Sequence, residues 1–289
     1  MILILGCSVK STEPIVNEPK NPMLKLLTPN GNKIFTLGQI ITISWESSDI
    51  KEFDIDISYD DGTTWHLVAE RLDSLSKSFD YAPIDTCSYY CLIKIKDSEN
   101  SGISDTSDST FTIIDINEAK KYYQLQIGNI WVYEKNNGSN ISYEKWEIVG
   151  DTTINNRTYF KMSINISPNY FKYFRVSEHG DFIEYRADRE FVILDFSSPP
   201  GRYQINEAVV IIRGDTSKTF FNKLYSVKWQ YFQYGSGFGS ERYDEFANGL
   251  GKTFEHFADL YSFADYALKG AVINQILYGD TSTINLIGK

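Results

Sequence analysis

Residues 122–133 read Tyr-Tyr-Gln-Leu-Gln-Ile-Gly-Asn-Ile-Trp-Val-Tyr, and the reading of this stretch decides the fold. Tyr123, Leu125 and Ile127 alternate with Gln124 and Gln126, which is the period of a half-buried strand. Gly128-Asn129 is a turn pair, and Ile130-Trp131-Val132-Tyr133 follows as a second apolar run, so the pattern predicts strand, turn, strand. The stretch opens an aromatic-dense region that continues to Lys289. Further strands are predicted at Tyr143–Val149, Arg157–Ile166, Tyr170–Ser177, Asp181–Arg186, Glu190–Phe196, Ala208–Ile212, Leu224–Tyr234, Glu241–Phe246 and Leu268–Ile273, each bounded by Gly, Asn, Asp or Pro. A long antiparallel meander follows, curling into a barrel-like or strongly curved sheet. Helix competes at one place, Phe254–Leu268, where Phe254, Phe257, Ala258, Tyr261, Ala264 and Leu268 fall at helical spacing; a hairpin is the preferred reading.

Upstream, Ile41, Ile43 and Trp45 point one way and Thr42 and Ser44 the other, and Phe53, Ile55, Ile57 and Tyr59 alternate with Asp54, Asp56 and Ser58. With strands at Trp65–Ala69, Cys91–Lys96 and Thr110–Ile114 and turn-forming stretches between them, the spacing is that of a β-sandwich. The expected fold class is therefore all-β: an immunoglobulin- or fibronectin III-like sandwich over residues 23–115, then a larger antiparallel domain over 121–289. Asp115–Lys120, polar and without periodicity, is the expected boundary.

Several segments carry a resemblance. Pro29-Asn30-Gly31, Ile43-Ser44-Trp45, Ser58 to Trp65, Tyr81-Ala82-Pro83, Cys91 to Asp97 and Phe111-Thr112-Ile113 resemble the Ig-like domain of secreted bacterial proteins and are similar to the Ser/Thr-rich lipid-anchored cell-wall domain family. That resemblance implies a spacer or adhesion module without chemistry of its own. The pattern Leu125-x-x-Gly128-Asn129-x-Trp131-x-Tyr133, with Gly150 to Tyr159 and Gly270 to Thr281, resembles an uncharacterised secreted domain of Bacteroidetes- and Ignavibacteria-like bacteria. It implies export and no particular activity.

The first residues, Met1 to Ser8, form an apolar run ending in Gly6-Cys7, and Ile4-Leu5-Gly6-Cys7 resembles the end of a bacterial lipoprotein signal, which implies lipidation of Cys7. The apolar part is short and lacks a basic start, unlike a working export signal. Lys10–Asn21, polar and with two prolines, reads as an extended tether, so residues 1–22 form a signal remnant and tether. The other cysteines are Cys87 and Cys91. In one regular strand their Cα atoms would lie roughly 13 Å apart, beyond the roughly 7 Å a disulfide tolerates. A bond requires Cys87 to sit in a turn that folds back.

With 42% hydrophobic and 23% charged residues the chain is globular, and 15% aromatic content, from 20 Tyr, 18 Phe and 5 Trp, favours sheets. A formal net charge of -10 disfavours nucleic acid, which is held through clustered Lys and Arg, and disfavours anionic lipid surfaces. No apolar run is long enough for a spanning helix. Contact with a membrane is therefore expected only through Cys7, and the expected state is a monomer in the cell envelope (outer-membrane lipoprotein, periplasmic or surface-exposed) or secreted.

Ser58-x-Asp60-x-Gly62-x-Thr64-Trp65 fits an Asp-box hairpin, in which the Asp60 carboxylate accepts backbone N–H groups, Gly62 takes positive φ and Trp65 returns to the core. Gly150-Asp151-Thr152-Thr153, Gly214-Asp215-Thr216-Ser217 and Gly279-Asp280-Thr281-Ser282 offer one carboxylate each, too few for calcium, and read as Asx turns between strands. Tyr234–Ser240, glycine-rich but without a P-loop Lys, reads as a hairpin loop. His66, His179 and His256 are isolated, and no Gly-x-Ser-x-Gly elbow is present. No metal or cofactor is expected. Glu184, Glu190 and Asp195 are the acids to inspect for glycoside hydrolysis. Trp131, Trp146, Trp229, Tyr231 and Tyr234 are the aromatics that would stack on a sugar ring if they are exposed. The leading expectation is a non-catalytic binding or adhesion module whose partner is a surface protein or glycan. A hydrophobic-ligand or glycan-binding barrel comes second, and a hydrolase third.

Overall fold

The computed structural model describes residues 21–165, 169–206, 209–234, 240–259 and 262–280. Cys7 and the tether lie outside the described residues, apart from Asn21 and Pro22, as do most of the 234–240 loop and the end of the third Gly-Asp-Thr-Ser copy. The described residues are nearly all β, with one short helix among them.

Nine strands come from the first part of the chain: β1 (Met23–Thr28), β2 (Ile34–Thr36), β3 (Ile41–Ser48), β4 (Glu52–Ser58), β5 (His66–Asp73), β6 (Ser78–Tyr81), β7 (Ser88–Asp97), β8 (Ser104–Thr106) and β9 (Phe111–Ile114). They form one sheet in the order β1-β3-β6 and a second in the order β2-β9-β7-β4-β5, with β8 on β7. The alternation predicted for β3 and β4 sends Ile41, Ile43, Trp45, Phe53, Ile55 and Ile57 into a core completed by Ile93, Ile95, Phe111 and Cys91. Burying each such side chain contributes about 1.5–3 kcal/mol. The Asp-box hairpin forms as the sequence reads: Asp60 accepts from the Thr64 N–H (2.8 Å) and hydroxyl (2.7 Å), and Ser58 Oγ accepts from the Gly62 N–H (2.8 Å). Trp65 does not return to the core. It lies half-buried beneath the Lys94 ammonium, 3.7 Å from the ring centroid. Cys87 and Cys91 are both free: Cys91 faces the core from β7, whereas Cys87 precedes that strand and is exposed, so the fold-back a disulfide requires is not made.

The first half of the deciding stretch is not a strand. Ile116–Tyr123 is a helix, α1, and the expected polar boundary is its first turn. Asp115 caps it by accepting from the Asn117 N–H at 2.8 Å, Glu118 lies in the first turn, where the helix dipole favours an acid, and Gln124 ends it in the left-handed region. Its buried face is Ala119, Tyr122 and Tyr123.

The second half begins the large sheet as predicted. Its strands are β10 (Ile130–Asn136), β11 (Ile141–Ile154), β12 (Arg157–Ile164), β13 (Phe171–Val176), β14 (Phe182–Arg186), β15 (Arg189–Leu194), β16 (Gly201–Asn206), β17 (Val209–Phe220), β18 (Lys223–Tyr234), β19 (Glu241–Ala247), β20 (Gly251–Ala258), β21 (Phe263–Ile273) and β22 (Ile276–Gly279). The stretch where helix competed is the β20–β21 hairpin. Each strand pairs with its neighbours in sequence, β21 returns to pair with β10, and β22 pairs with β21. Among the described residues β15 and β16, the two ends of this order, do not pair, so the sheet is open along that seam. Its curvature brings the end of β15 back to β17 and β18, where the Asp195 N–H donates to Gln230 Oε1 at 3.1 Å and Arg213 meets the Asp195 carboxylate at 2.7 Å. The concave side holds an aromatic core of Trp131, Tyr133, Trp146, Phe174, Phe182 and Phe246. Helix α1 plugs one end of it: Tyr123 stacks on Phe182 (centroids 4.8 Å apart) and donates its hydroxyl to the Gly180 carbonyl at 2.9 Å.

Two of the three Gly-Asp-Thr copies are not turns. Gly150–Thr153 lies inside β11, at a bulge, and Gly214–Ser217 lies inside β17. The long β17–β18 ribbon needs glycine at 214, because Trp229 lies directly across from it and a Cβ there would come within 2.3 Å of the indole. Nothing lies within 4 Å of the corresponding point at Gly150. Gly214→Ala should therefore destabilise the protein by about 1–3 kcal/mol and Gly150→Ala by less than about 0.5 kcal/mol, measured by urea unfolding. Equal effects would contradict this assignment.

Candidate functional site

A layer of charge lies between the aromatic floor of the large sheet and its open end. In β19 the alternation places Arg242, Asp244 and Phe246 on the concave side, all buried. Strand β20 answers with an irregularity: Glu245 pairs with Phe254 but Phe246 pairs with Lys252, leaving Thr253 as a bulge residue. The extra residue puts Lys252 and Glu255, three apart in sequence, on the same concave face. Thr253 holds the bulge by donating its hydroxyl to the Glu245 carboxylate at 3.0 Å.

The four charges compensate one another. Arg242 reaches Asp244 with Nε at 2.5 Å and Glu255 at 3.5 Å, and Lys252 reaches Asp244 at 2.6 Å and Glu255 at 2.8 Å. Burial alone would push the Glu255 carboxyl up, but the Lys252 ammonium and the Arg242 guanidinium outweigh it and hold the group well below the usual carboxylate range. Burial likewise opposes the charge on Lys252, and Asp244 and Glu255 overcome it, so the ammonium stays above the ordinary lysine value.

Two further charges join from the neighbouring strands. Glu184 on β14 is 4% exposed, with Arg242 at 3.7 Å and Arg186 at 3.8 Å from Oε2, yet that oxygen accepts no hydrogen bond. Lys172 on β13 lies over the Trp146 ring at 4.5 Å, and burial lowers its pKa despite the attraction of Glu255 and Glu184. A cavity of about 480 Å³ opens onto this floor, lined by Lys172, Glu184, Arg242 and Glu255 below and by Tyr170, Phe171 and Phe257 towards the rim. An unsatisfied buried charged oxygen costs at least about 1–3 kcal/mol. Among the described residues Trp45 Nε1 and Gln230 Nε2 are also buried without a partner, but their residues line none of the larger cavities, whereas Glu184, whose Oε2 is itself shielded from solvent, lines the 480 Å³ cavity.

Two other cavities are of similar size. One, about 580 Å³, lies between the sandwich and the large sheet, where the Tyr89 hydroxyl donates to the Phe196 carbonyl at 3.1 Å; its Lys228 is already paired with Asp215 at 2.9 Å. The other, about 460 Å³, lies beside α1 and includes Arg175, which is spent on Glu190. Neither presents an orphaned buried charge.

The three acids singled out in the sequence do not converge. Glu184 faces the concave cavity. Glu190 is on the opposite face of the sheet, where it binds Arg175 at 2.6 and 2.9 Å, Arg157 at 2.7 Å and the Tyr159 hydroxyl. Asp195 is at the seam, accepting from Ser197 and Ser198. Of the aromatic candidates, Trp131 and Trp146 are 2% and 3% exposed and belong to the core, a correction to their role as surface platforms. Trp229 stacks on Tyr243 (5.8 Å) on the convex face, and Tyr231 is tied there by its hydroxyl to Glu241 at 2.6 Å. Tyr234 is the exposed member of the five at the end of β18, where it stacks on Phe232 (6.1 Å) and does not line the cavity. Among the described residues no group of His, Cys, Asp and Glu has the arrangement of a metal site. Lys172, Arg242, Asp244, Lys252 and Glu255 were not singled out in the sequence. The one available signal is charge at alternate positions beside Phe246, and it does not say which face turns inward.

The chain matches no protein-family model, no curated protein and no solved structure at a significant level.

The Glu190 cluster gives a pH signature. The Arg175 guanidinium and the Tyr159 hydroxyl draw its carboxyl down to about 2 from an ordinary 4.5, so its stabilisation is complete above pH 4.5 and declines as the pH falls through 2. Glu190→Gln should cost about 1.5–3 kcal/mol at pH 7, and the gap from the parent should close on acidification in parallel urea titrations. A gap that widens towards acid would contradict the assignment.

Proposed function

We propose that the protein is a non-catalytic binding protein of the bacterial cell envelope, tethered through Cys7, whose curved sheet holds a small ligand at its open end. The observation that carries this reading is the Glu184 carboxylate, buried, short of a hydrogen-bond donor and bordering a cavity of about 480 Å³. A fold keeps such a cost where a ligand removes it. The size fits a molecule of one or two sugar rings or amino-acid residues. The ionic floor supplies polar recognition, and Tyr170, Phe171 and Phe257 supply apolar contact.

A hydrolase reading is less well supported. Two-carboxylate hydrolysis needs one acid held protonated, and Glu255, which shares the cavity with Glu184, is driven strongly towards its ionised form. Adhesion through the convex face of β11 is also weakly supported. Exposed Ile141, Tyr143 and Val149 are interrupted there by the Lys145–Glu147 ion pair at 2.7 Å.

The test is a thermal-shift panel of disaccharides, α-amino acids, dipeptides and fatty acids on the full chain, alongside Glu184→Gln. At least one class should raise Tm, by the equivalent of about 2.7 kcal/mol at a hundredfold excess over Kd. Glu184→Gln should lose the shift, read against its own unliganded Tm. No shift with any class, or a shift unchanged by Glu184→Gln, contradicts the proposed site. An unlipidated Cys7 in natively expressed protein, read by intact mass, would remove the anchor.

A further inference from the structure

We infer that the ligand is a zwitterion, a free α-amino acid or dipeptide, with its ammonium on Glu184 and its carboxylate on Lys172; the inference rests on the binding site proposed above. Within the floor, Arg242, Asp244, Lys252 and Glu255 close on one another and leave two positive and two negative charges in balance. Of the other charges that line the cavity, Arg186 and Asp188 are exposed, and Glu184 and Lys172 are the two set deeper, beside the floor. Glu184 Oε2 has two guanidiniums near 4 Å and no hydrogen-bond donor. Among the described residues no carboxylate comes within ion-pair distance of the Lys172 ammonium, which is held instead over the Trp146 face.

The register makes this separation informative. Glu184 pairs with Phe174 across β13 and β14, and Lys172 is two residues from Phe174 on the same face. The two are thus diagonal neighbours, with backbones roughly 7–8 Å apart, a spacing at which opposite charges with long side chains ordinarily meet. Here Arg242 holds one and Trp146 holds the other, so the gap between them has an acceptor on one side and a donor on the other. A purely anionic ligand would answer Lys172 and leave Glu184 facing more negative charge. A purely cationic one would do the reverse. A neutral sugar would satisfy Glu184 and leave the ammonium uncompensated. A molecule of no net charge with an ammonium and a carboxylate a few ångströms apart answers both. Phe171 and Phe257 at the rim then favour an apolar side chain.

Isothermal titration calorimetry on the full chain tests this with L-leucine, leucyl-leucine, N-acetyl-leucine, leucinamide and maltose. L-Leucine or leucyl-leucine should bind, and blocking either end of leucine should weaken binding at least tenfold. Glu184→Gln should abolish the preference for leucine over its N-acetyl form, and Lys172→Met the preference over its amide. The blocked ligands need no variant, so the comparison survives if a variant fails to fold. Blocked and free leucine binding equally, or maltose binding while leucine and leucyl-leucine do not, overturns the zwitterion assignment and leaves the binding site standing. No heat from any probe, together with an empty thermal-shift panel, overturns both.

Discussion

Five charged side chains, Glu184, Arg242, Asp244, Lys252 and Glu255, taken out of water on the concave side of one sheet set the terms for the larger part of this structure. An isolated ion in such a place carries a desolvation penalty of several kcal/mol. Arg242, Asp244, Lys252 and Glu255 are tolerated because each faces two partners of opposite sign. That arrangement demands a particular backbone. Without the bulge at Thr253, Lys252 and Glu255 would lie on opposite faces of β20, and one would have lost the cluster for the solvent side. The local irregularity and the ionic layer are one feature seen at two scales.

The layer also divides the concave side. Below it, Trp131, Tyr133, Phe174, Phe182 and Phe246 are sealed by Tyr122 and Tyr123 from α1, and hydrogen bonds such as Trp131 Nε1 to the Leu250 carbonyl, at 2.6 Å, satisfy the polar edges of the rings. Above it, the sheet stays open and its polar groups are incompletely matched. Stability is concentrated at the end near the sandwich and the unsatisfied Glu184 at the far end, the distribution expected when one end of a sheet is built to hold and the other to receive.

Period-two alternation made most strands legible in the sequence, including Ile41–Trp45, Phe53–Ile57 and Ile130–Tyr133, because burial on one face leaves a clear residue pattern. Where both faces carry aromatic rings and charges, as in Glu241–Phe246, alternation identifies the strand and not its inward side, so the ionic floor stayed invisible. Tyr123, Leu125 and Ile127 alternate like a strand, but Asp115 and Glu118 are spaced as a helix cap and a first-turn acid, and that local signal won because Tyr122 and Tyr123 seal the core only from a helix. Gly214-Asp215-Thr216 looks like a turn when glycine is taken as a breaker. Its glycine serves close packing under Trp229 instead, a tertiary contact with no trace in local sequence. The placement of Lys172 and Glu184 beside one cavity likewise depends on strand register, which spacing along the chain does not encode.

The compensated ionic layer is tested most directly by a double-mutant cycle on Arg242→Met and Asp244→Leu, with stability read from urea unfolding. Each single change strands buried charge, whereas the double change leaves Lys252 and Glu255 still paired. The account predicts a coupling energy of about 2 kcal/mol or more, with the double variant more stable than either single one. Additivity within about 0.5 kcal/mol would show that the two charges do not depend on each other, and would contradict it.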